Sequence, residues 1–176
     1  MPELLMGCGS SRDKRLFAPG RPRVWESLVT CDINADHSPD VVHDLEVLPY
    51  PWPDDTFDEV HAYEVLEHLG RQGDWRSFFA QFSELWRILK PGGYLCGTSP
   101  AVGSPWLWGD PGHTRAIQPE HFVYLSQDQY QKQLDCEPGK RTAMTDYRFC
   151  WKGDLRPVIL MPDAEGTFLY ILKAVK

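Results

Sequence analysis

The sequence has no apolar run approaching the roughly 20 residues needed to span a bilayer, so no membrane-crossing helix is expected. No basic segment leads into an apolar one at its start, so we read no secretory signal. It has no Cys-x-x-Cys pair. Its five cysteines (Cys8, Cys31, Cys96, Cys136 and Cys150) are odd in number and widely spaced, mostly within apolar strand-like runs. They read as reduced, small core residues of a cytoplasmic protein. There is no internal repeat and no low-complexity tract. Positive charge is also short: 18 Lys and Arg face 25 Asp and Glu, a formal net charge of -7, which is a poor match for a phosphate backbone.

What is present describes an ordinary packed domain. With 176 residues, 42% of them hydrophobic, and seven Trp, the chain can bury one sizeable core, so residues 1–176 are read as a single domain. Strand-like and helix-like segments alternate. Leu4–Met6, "LVTCDIN" (28–34), "DVVHDL" (40–45), the start of "FDEVHAYEVLEHL" (57–69) and "YLCGTS" (94–99) read as strands. Residues 10–23 are polar, basic and broken by "APGRP", so any helix there is short. The clearest helix is "DWRSFFAQFSELWRIL": its apolar residues lie on one face, Asp74 suits its N-cap, and Pro91, Gly92 and Gly93 should stop it. "MTDYRFCWK" (144–152) and "GTFLYILKAVK" (166–176) read as an antiparallel hairpin at the sheet edge. Strands alternating with helices imply an α/β fold built on a mostly parallel sheet.

In such a sheet, ligands bind beyond the carboxyl ends of the strands, where strand order reverses. The first strand ends in Gly7-Cys8-Gly9, the second in Asp32 and the third in Asp44-Leu45. A small backbone, an acid and a second acid at successive strand ends suit a ligand with an adenosine part. Residues 100–128 form a long segment with four prolines that mixes Trp with His, Arg and Asp, and long irregular segments in compact domains are usually functional.

These stretches resemble class I S-adenosylmethionine-dependent methyltransferases, and among them the small stand-alone enzymes of bacteria and their phages. "LLMGCGSS", "VTCDIN", "HDLEVLPYPWPDDTFDEVHAYEVLEHL" and "RILKPGGYLCGTSP" follow the family's order and spacing over most of residues 3 to 100. The resemblance implies a Rossmann-like three-layer fold with a seven-stranded sheet, S-adenosylmethionine as cofactor and S-adenosylhomocysteine as product. It places Gly7, Cys8 and Gly9 against the methionine end of the cofactor, and Asp32 on the ribose with Ile33 packing on the adenine. Asp44 and the Leu45 backbone meet the adenine edge, and Glu64 faces the methionine moiety or the substrate. Residues 100–128 become a substrate-facing insertion or lid, with Trp106, Trp108, His113 and Arg115 as substrate candidates and His113 as candidate general base.

Some positions depart from the family. Leu5 stands where an acid is usual, and Ser11 replaces the third loop glycine, so the amino end of the methionine needs another partner, Arg12 or a backbone carbonyl. No helices precede the first strand, so cover for the cofactor falls to residues 100–128 or to a second subunit, a homo-oligomer included. No Asn/Asp-Pro-Pro-aromatic motif follows the fourth strand and no Pro-Cys occurs, which with the acidic charge turns the acceptor away from nucleic acid toward a small molecule, a sugar or a protein group. "EVLEH", with Glu64, Glu67 and His68, fits no zinc spacing, so no metal is expected, and Glu67 and His68 read as a solvated turn. His43 and His61 read as structural. The competing function is a non-catalytic binding or scaffold protein on the same fold.

Overall fold

The computed structural model describes residues 1–137, 144–162 and 166–176. Seven strands make one sheet in the order β3-β2-β1-β4-β5-β7-β6. They are β1 (Pro2–Met6), β2 (Ser27–Asp32), β3 (Val41–Val42), β4 (Phe57–Tyr63), β5 (Leu89–Pro100), β6 (Leu155–Pro162) and β7 (Thr167–Ala174). The pairs among β1 to β5 are parallel, and β7 lies antiparallel to both β5 and β6. The mostly parallel sheet with an antiparallel C-terminal hairpin is the expected one. The chain moves outward from β1 to β3, then returns to place β4 on the other side of β1. The crevice that ligands favour therefore lies between the carboxyl ends of β1 and β4.

Alternate residues of the strands face opposite sides. One side carries Leu4, Met6, Val60, Ala62 and Leu95, all completely buried. The helix α1 (Trp75–Ile88) covers this side with Phe79, Phe82, Leu85 and Ile88. Asp74 caps it as expected, its side chain accepting from the N–H groups of Arg76 and Ser77. Full burial of each such side chain contributes about 1.5–3 kcal/mol. Three shorter helices follow β5: α2 (Trp106–Gly109), α3 (Pro119–Val123) and α4 (Gln127–Asp135).

The other side of the sheet is covered by coil. Residues 10–23 form no helix at all. They are fastened by a buried polar network. Lys14 Nζ lies 2.7 Å from Glu3 and 3.2 Å from Glu59, with all three side chains withdrawn from solvent. Glu59 pairs with His61 at 2.9 Å, and His61 Nδ1 lies 2.6 Å from the Tyr63 hydroxyl, which accepts from the N–H groups of Arg15 and Leu16. Trp25 packs edge-on to His61. His61 is structural, as read from the sequence. His43 lies half-buried, its Nε2 3.0 Å from the Val47 carbonyl.

Several expected boundaries move. The third strand is only Val41–Val42, and Asp44 already belongs to the turn beyond it. The helix ends at Ile88, before Pro91-Gly92-Gly93: Leu89 already pairs with Phe57, and the register resumes at Glu59 with Tyr94, so residues 90–93 bulge out of the ladder. Residues 144–152 are not the hairpin's first strand. Their aromatic residues pack on α1 instead, with Trp151 completely buried near Phe79 and its indole N–H donating to the Leu125 carbonyl. The strand is β6, which Pro157 and Pro162 disguise; an edge position tolerates the missing N–H groups. Among the described residues, no helix is long and apolar enough to cross a membrane.

Candidate active site

The loop after β1 is shaped by two glycines with different constraints. Gly7 has φ +58°, and a Cβ there would meet Val65 Cγ2 at 2.5 Å. Only glycine fits both the backbone and the space. Gly9 has φ +52°, but among the described residues a Cβ there would meet nothing within 4 Å, so its face is open. Between them, the Cys8 N–H donates to the Cys31 carbonyl at 3.1 Å, while the Cys8 side chain packs with Leu5 and Tyr63. Cys8 therefore offers the loop its backbone.

Asp32 ends β2 and reaches back to this loop. Its Oδ2 accepts from the Gly9 N–H at 2.8 Å, its Oδ1 from the Asn34 N–H at 2.9 Å, and His37 Nδ1 lies 3.3 Å away. Burial alone would raise its pKa; the N–H groups of Asn34 and Gly9 and the His37 ring outweigh burial and hold the carboxyl below its usual range. A carboxylate has about four acceptor sites, so one is left for an incoming hydroxyl. Ile33, the next residue, is exposed with its side chain uncovered. Asp44 accepts from the Glu46 N–H at 2.9 Å, and the buried Leu45 gives its carbonyl to Gln81 Nε2 at 3.0 Å.

Arg12 has a role that sequence reading missed. Its guanidinium donates to the carbonyls of Gly9 at 2.8 Å, Ser11 at 3.2 Å and His37 at 2.8 Å. It clamps the glycine loop to the segment beyond β2. Glu3 is likewise committed: besides Lys14, it accepts from the N–H groups of Glu26 and Ser27.

Beyond β4 the structure corrects the reading of Glu67. It is completely buried, not part of a solvated turn. It lies in a single 3-10 turn, Leu66–His68, that folds back under the loop after β5. The Glu67 carbonyl accepts from the N–H groups of Thr114 and Arg115, which ties that loop down. Its carboxyl Oε2 accepts from Ser99 Oγ at 2.8 Å. Burial, and then the neighbouring Glu64 carboxylate, push its pKa up to about 8. Glu64 itself sits directly after β4 with φ +57°, its N–H donating to the Thr98 carbonyl. A non-glycine residue held there is strained, as residues at functional sites often are.

The four substrate candidates are not brought together. His113 lies beside Glu67 and packs edge-on to His68, ring centres 4.6 Å apart. Trp106 and Trp108 stand in solvent. Arg115 is buried at the start of α1, donating to the carbonyls of Arg71 at 2.9 Å and Asp74 at 3.3 Å and lying over Phe78. It lines a cavity of about 240 Å³ with Asp74, Trp75, Phe78, His121 and Tyr147. No feature of sequence spacing separates Arg115 from His113; the turn at 110–114 does so in space.

Comparison with known proteins gives a consistent picture. A family model described as "Methyltransferase domain" matches residues 4–97. An uncharacterized methyltransferase of Schizosaccharomyces pombe is 46% identical over 46 residues, which is 26% of this chain and only 14% of that protein's length. The N-methyltransferase NodS from Bradyrhizobium japonicum WM9 is similar over 99% of this chain and 86% of its own, with a TM-score of 0.56 and 15% identity. NodS is also known in complex with S-adenosyl-L-homocysteine. A SAM dependent methyltransferase from Archaeoglobus fulgidus is similar over 98% of this chain and 85% of its own, with a TM-score of 0.55 and 18% identity. At these identities the structural likeness concerns the fold.

Proposed function

The chain belongs to the methyltransferase-domain family, and from that premise we propose that it moves a methyl group from S-adenosylmethionine to an acceptor, leaving S-adenosylhomocysteine. The observation that carries this reading is the loop after β1. Gly7 has no room for a side chain, Gly9 faces open space, and Asp32 closes the loop from the next strand. Such a cradle admits a ligand against bare backbone at the crevice between β1 and β4.

On this reading, Gly7, Gly9 and the backbone of Cys8 receive the methionine end. Asp32 accepts from a ribose hydroxyl at its remaining site. Ile33 covers one adenine face, Asp44 accepts from the adenine amino group, and the Leu45 contact falls to its N–H because its carbonyl is engaged. Glu64, strained at the end of β4, faces the methyl-bearing end. The cofactor supplies an electrophilic methyl group on a sulfonium. Transfer needs the acceptor atom held in line with it in a water-poor pocket, and this chain's residues provide position more than acid–base chemistry. His113 enters the site as a neighbour of Glu67. Trp106 and Trp108 are assigned to the acceptor or to a second copy that covers the cofactor. The acceptor classes favoured are a small molecule, a sugar or a protein group, and the odd number and wide spacing of the cysteines fit a reducing compartment such as the cytoplasm.

One observation favours the scaffold reading as an alternative. Leu5 is buried among apolar side chains and Glu3 is fully engaged by Lys14, Glu26 and Ser27, so β1 offers no acid to the methionine amine. Calorimetric titration with S-adenosylmethionine and S-adenosylhomocysteine tests the first step. Micromolar binding that Asp32→Ala weakens supports the cofactor site, and absence of heat and of any thermal shift overturns it. Release of S-adenosylhomocysteine in the presence of candidate acceptors then separates enzyme from scaffold.

A further inference from the structure

Three side chains from two distant segments converge at the carboxyl end of the sheet. Glu67 and His68 come from the 3-10 turn after β4, and His113 comes from the loop after α2. Their ligand atoms all lie within 4.8 Å of one another. Each is prepared in a way that simple packing does not require. Glu67 is completely buried, and while its Oε2 has Ser99, its Oε1 has no hydrogen-bond partner among the described residues. A buried carboxyl oxygen left in that state carries the full cost of its lost hydration.

The two imidazoles are oriented alike. His113 Nδ1 lies 3.1 Å from the Leu107 carbonyl, and His68 Nδ1 lies 3.2 Å from the Gly112 carbonyl. A carbonyl only accepts, so each Nδ1 carries a proton, and in the neutral ring each Nε2 presents a lone pair. A backbone carbonyl on one ring nitrogen is how metal-ligating histidines are usually held. His113 Nε2 lies 3.9 Å from Glu67 Oε1, the oxygen without a partner. His68 is exposed, so the cluster is reached from solvent.

We propose that Glu67, His68 and His113 form a binding site for a divalent transition-metal ion. Two imidazole nitrogens and one carboxylate suit zinc, manganese, cobalt or ferrous iron better than magnesium or calcium, which prefer all-oxygen sites. Metal–ligand bonds of about 2.0–2.1 Å in a tetrahedral site put ligand atoms about 3.3 Å apart, so ligand atoms now up to 4.8 Å apart must close by as much as about 1.5 Å. Three protein ligands leave at least one position open. The Glu64 carboxylate stands next to that of Glu67, at the strand end proposed to face the cofactor's methyl group. The open position there takes an oxygen of the acceptor, which makes the acceptor a hydroxyl-bearing molecule; this last clause rests on the methyltransferase reading, and the ion site does not.

The competing explanation is a proton held on Glu67 and shared with the neighbouring Glu64 carboxylate or with His113. Glu67→Gln separates the two, because an amide keeps a hydrogen bond to His113 but supplies no anionic ligand. Chelator-treated protein is titrated by calorimetry with Zn²⁺, Mn²⁺ and Co²⁺ in turn, beside Glu67→Gln, His113→Ala and His68→Ala. One equivalent of at least one ion is expected, with affinity reduced tenfold or more in each variant and Co²⁺ absorption bands lost in His113→Ala. His68 is exposed, so His68→Ala keeps its fold and decides the matter even where a buried variant does not. The absence of binding by all three ions, or full retention of affinity by His68→Ala, overturns the site. A parallel titration with S-adenosylhomocysteine distinguishes the two readings: ion binding without S-adenosylhomocysteine binding overturns the cofactor assignment alone, and the reverse overturns the ion site alone.

Discussion

Asp32 Oδ2 accepts the Gly9 N–H at 2.8 Å, so the acid that ends β2 closes the loop that follows β1. One residue thus shapes the glycine loop and presents the carboxylate at its rim. Asp32→Ala is expected to weaken S-adenosylhomocysteine binding tenfold or more, about 1.4 kcal/mol. Asp32→Asn keeps an acceptor for Gly9 and should lose less thermal stability than the alanine variant. Calorimetry and thermal melts of the two variants check this pair of expectations.

The two loop glycines should respond differently to the same methyl group. At Gly7 an alanine meets both a positive φ and Val65, and a loss of about 2–4 kcal/mol in unfolding free energy is expected. At Gly9 only the backbone objects, at about 1–2 kcal/mol. Its methyl group would instead enter the open space assigned to the ligand, so affinity should fall more than stability. Urea unfolding beside ligand titration separates the effects, and equal stability losses at both positions would contradict this account.

Lys14 holds two buried carboxylates, those of Glu3 and Glu59. Lys14→Met leaves both without their cation, and removing one partner of a buried ion group costs about 3–5 kcal/mol. Denaturant unfolding reads the loss directly. A change within about 0.5 kcal/mol, the range of an ordinary surface substitution, would mean that the coil of residues 10–23 is held by its other contacts and not by Lys14.

The same network sets a pH dependence. Burial opposes ionisation of Glu3 and Glu59, but bonds from Lys14 and the Glu26 and Ser27 N–H groups to Glu3, and from His61 and Lys14 to Glu59, hold both carboxyls below their ordinary 4.5. Burial also lowers His61 below its ordinary 6.5, keeping the ring neutral. A depressed carboxyl contributes stability above pH 4.5 that is lost as pH falls through its folded value. A depressed histidine likewise loses stability below pH 6.5, where the unfolded chain takes up the proton first. Both act in one direction, so this network's contribution to the melting temperature should fall as pH is lowered from about 7 to about 4, against an opposite contribution from Glu67, whose raised carboxyl takes up its proton in the folded chain first. His61→Gln should flatten the part just below pH 6.5, and an unchanged slope in that variant would remove His61 from the account.

Local sequence revealed the features that depend on local chemistry. Asp74 reads as an N-cap because capping involves neighbouring N–H groups, and α1 reads as a helix because its apolar face repeats along 14 residues. The order of Gly7-Cys8-Gly9, Asp32 and Asp44 reads as a set of strand ends because alternating strand and helix signals imply a parallel sheet. Where a residue's surroundings come from elsewhere, the reading failed. Residues 144–152 alternate like a strand, yet Tyr147 and Trp151 are drawn onto the aromatic face of α1. Pro157 and Pro162 hide β6 because only the sheet order makes it an edge.

Periodicity and turn residues were enough for the α/β class and for a parallel sheet closed by an antiparallel hairpin, though not for that hairpin's first strand; the roles expected of the glycine loop and the acids came from resemblance to a family. Packing settled what they could not: which polar groups are buried and which of them meet. Glu67 and His68 are chain neighbours on a short polar turn, and nothing in their spacing announces that the loop after β5 lays His113 against them. Lys14 is one basic residue among several in a polar stretch until Glu3 and Glu59 surround it. Burial and long-range proximity are properties of the packed chain, and they turn an ordinary glutamate into a fully enclosed carboxyl with one oxygen still to be satisfied.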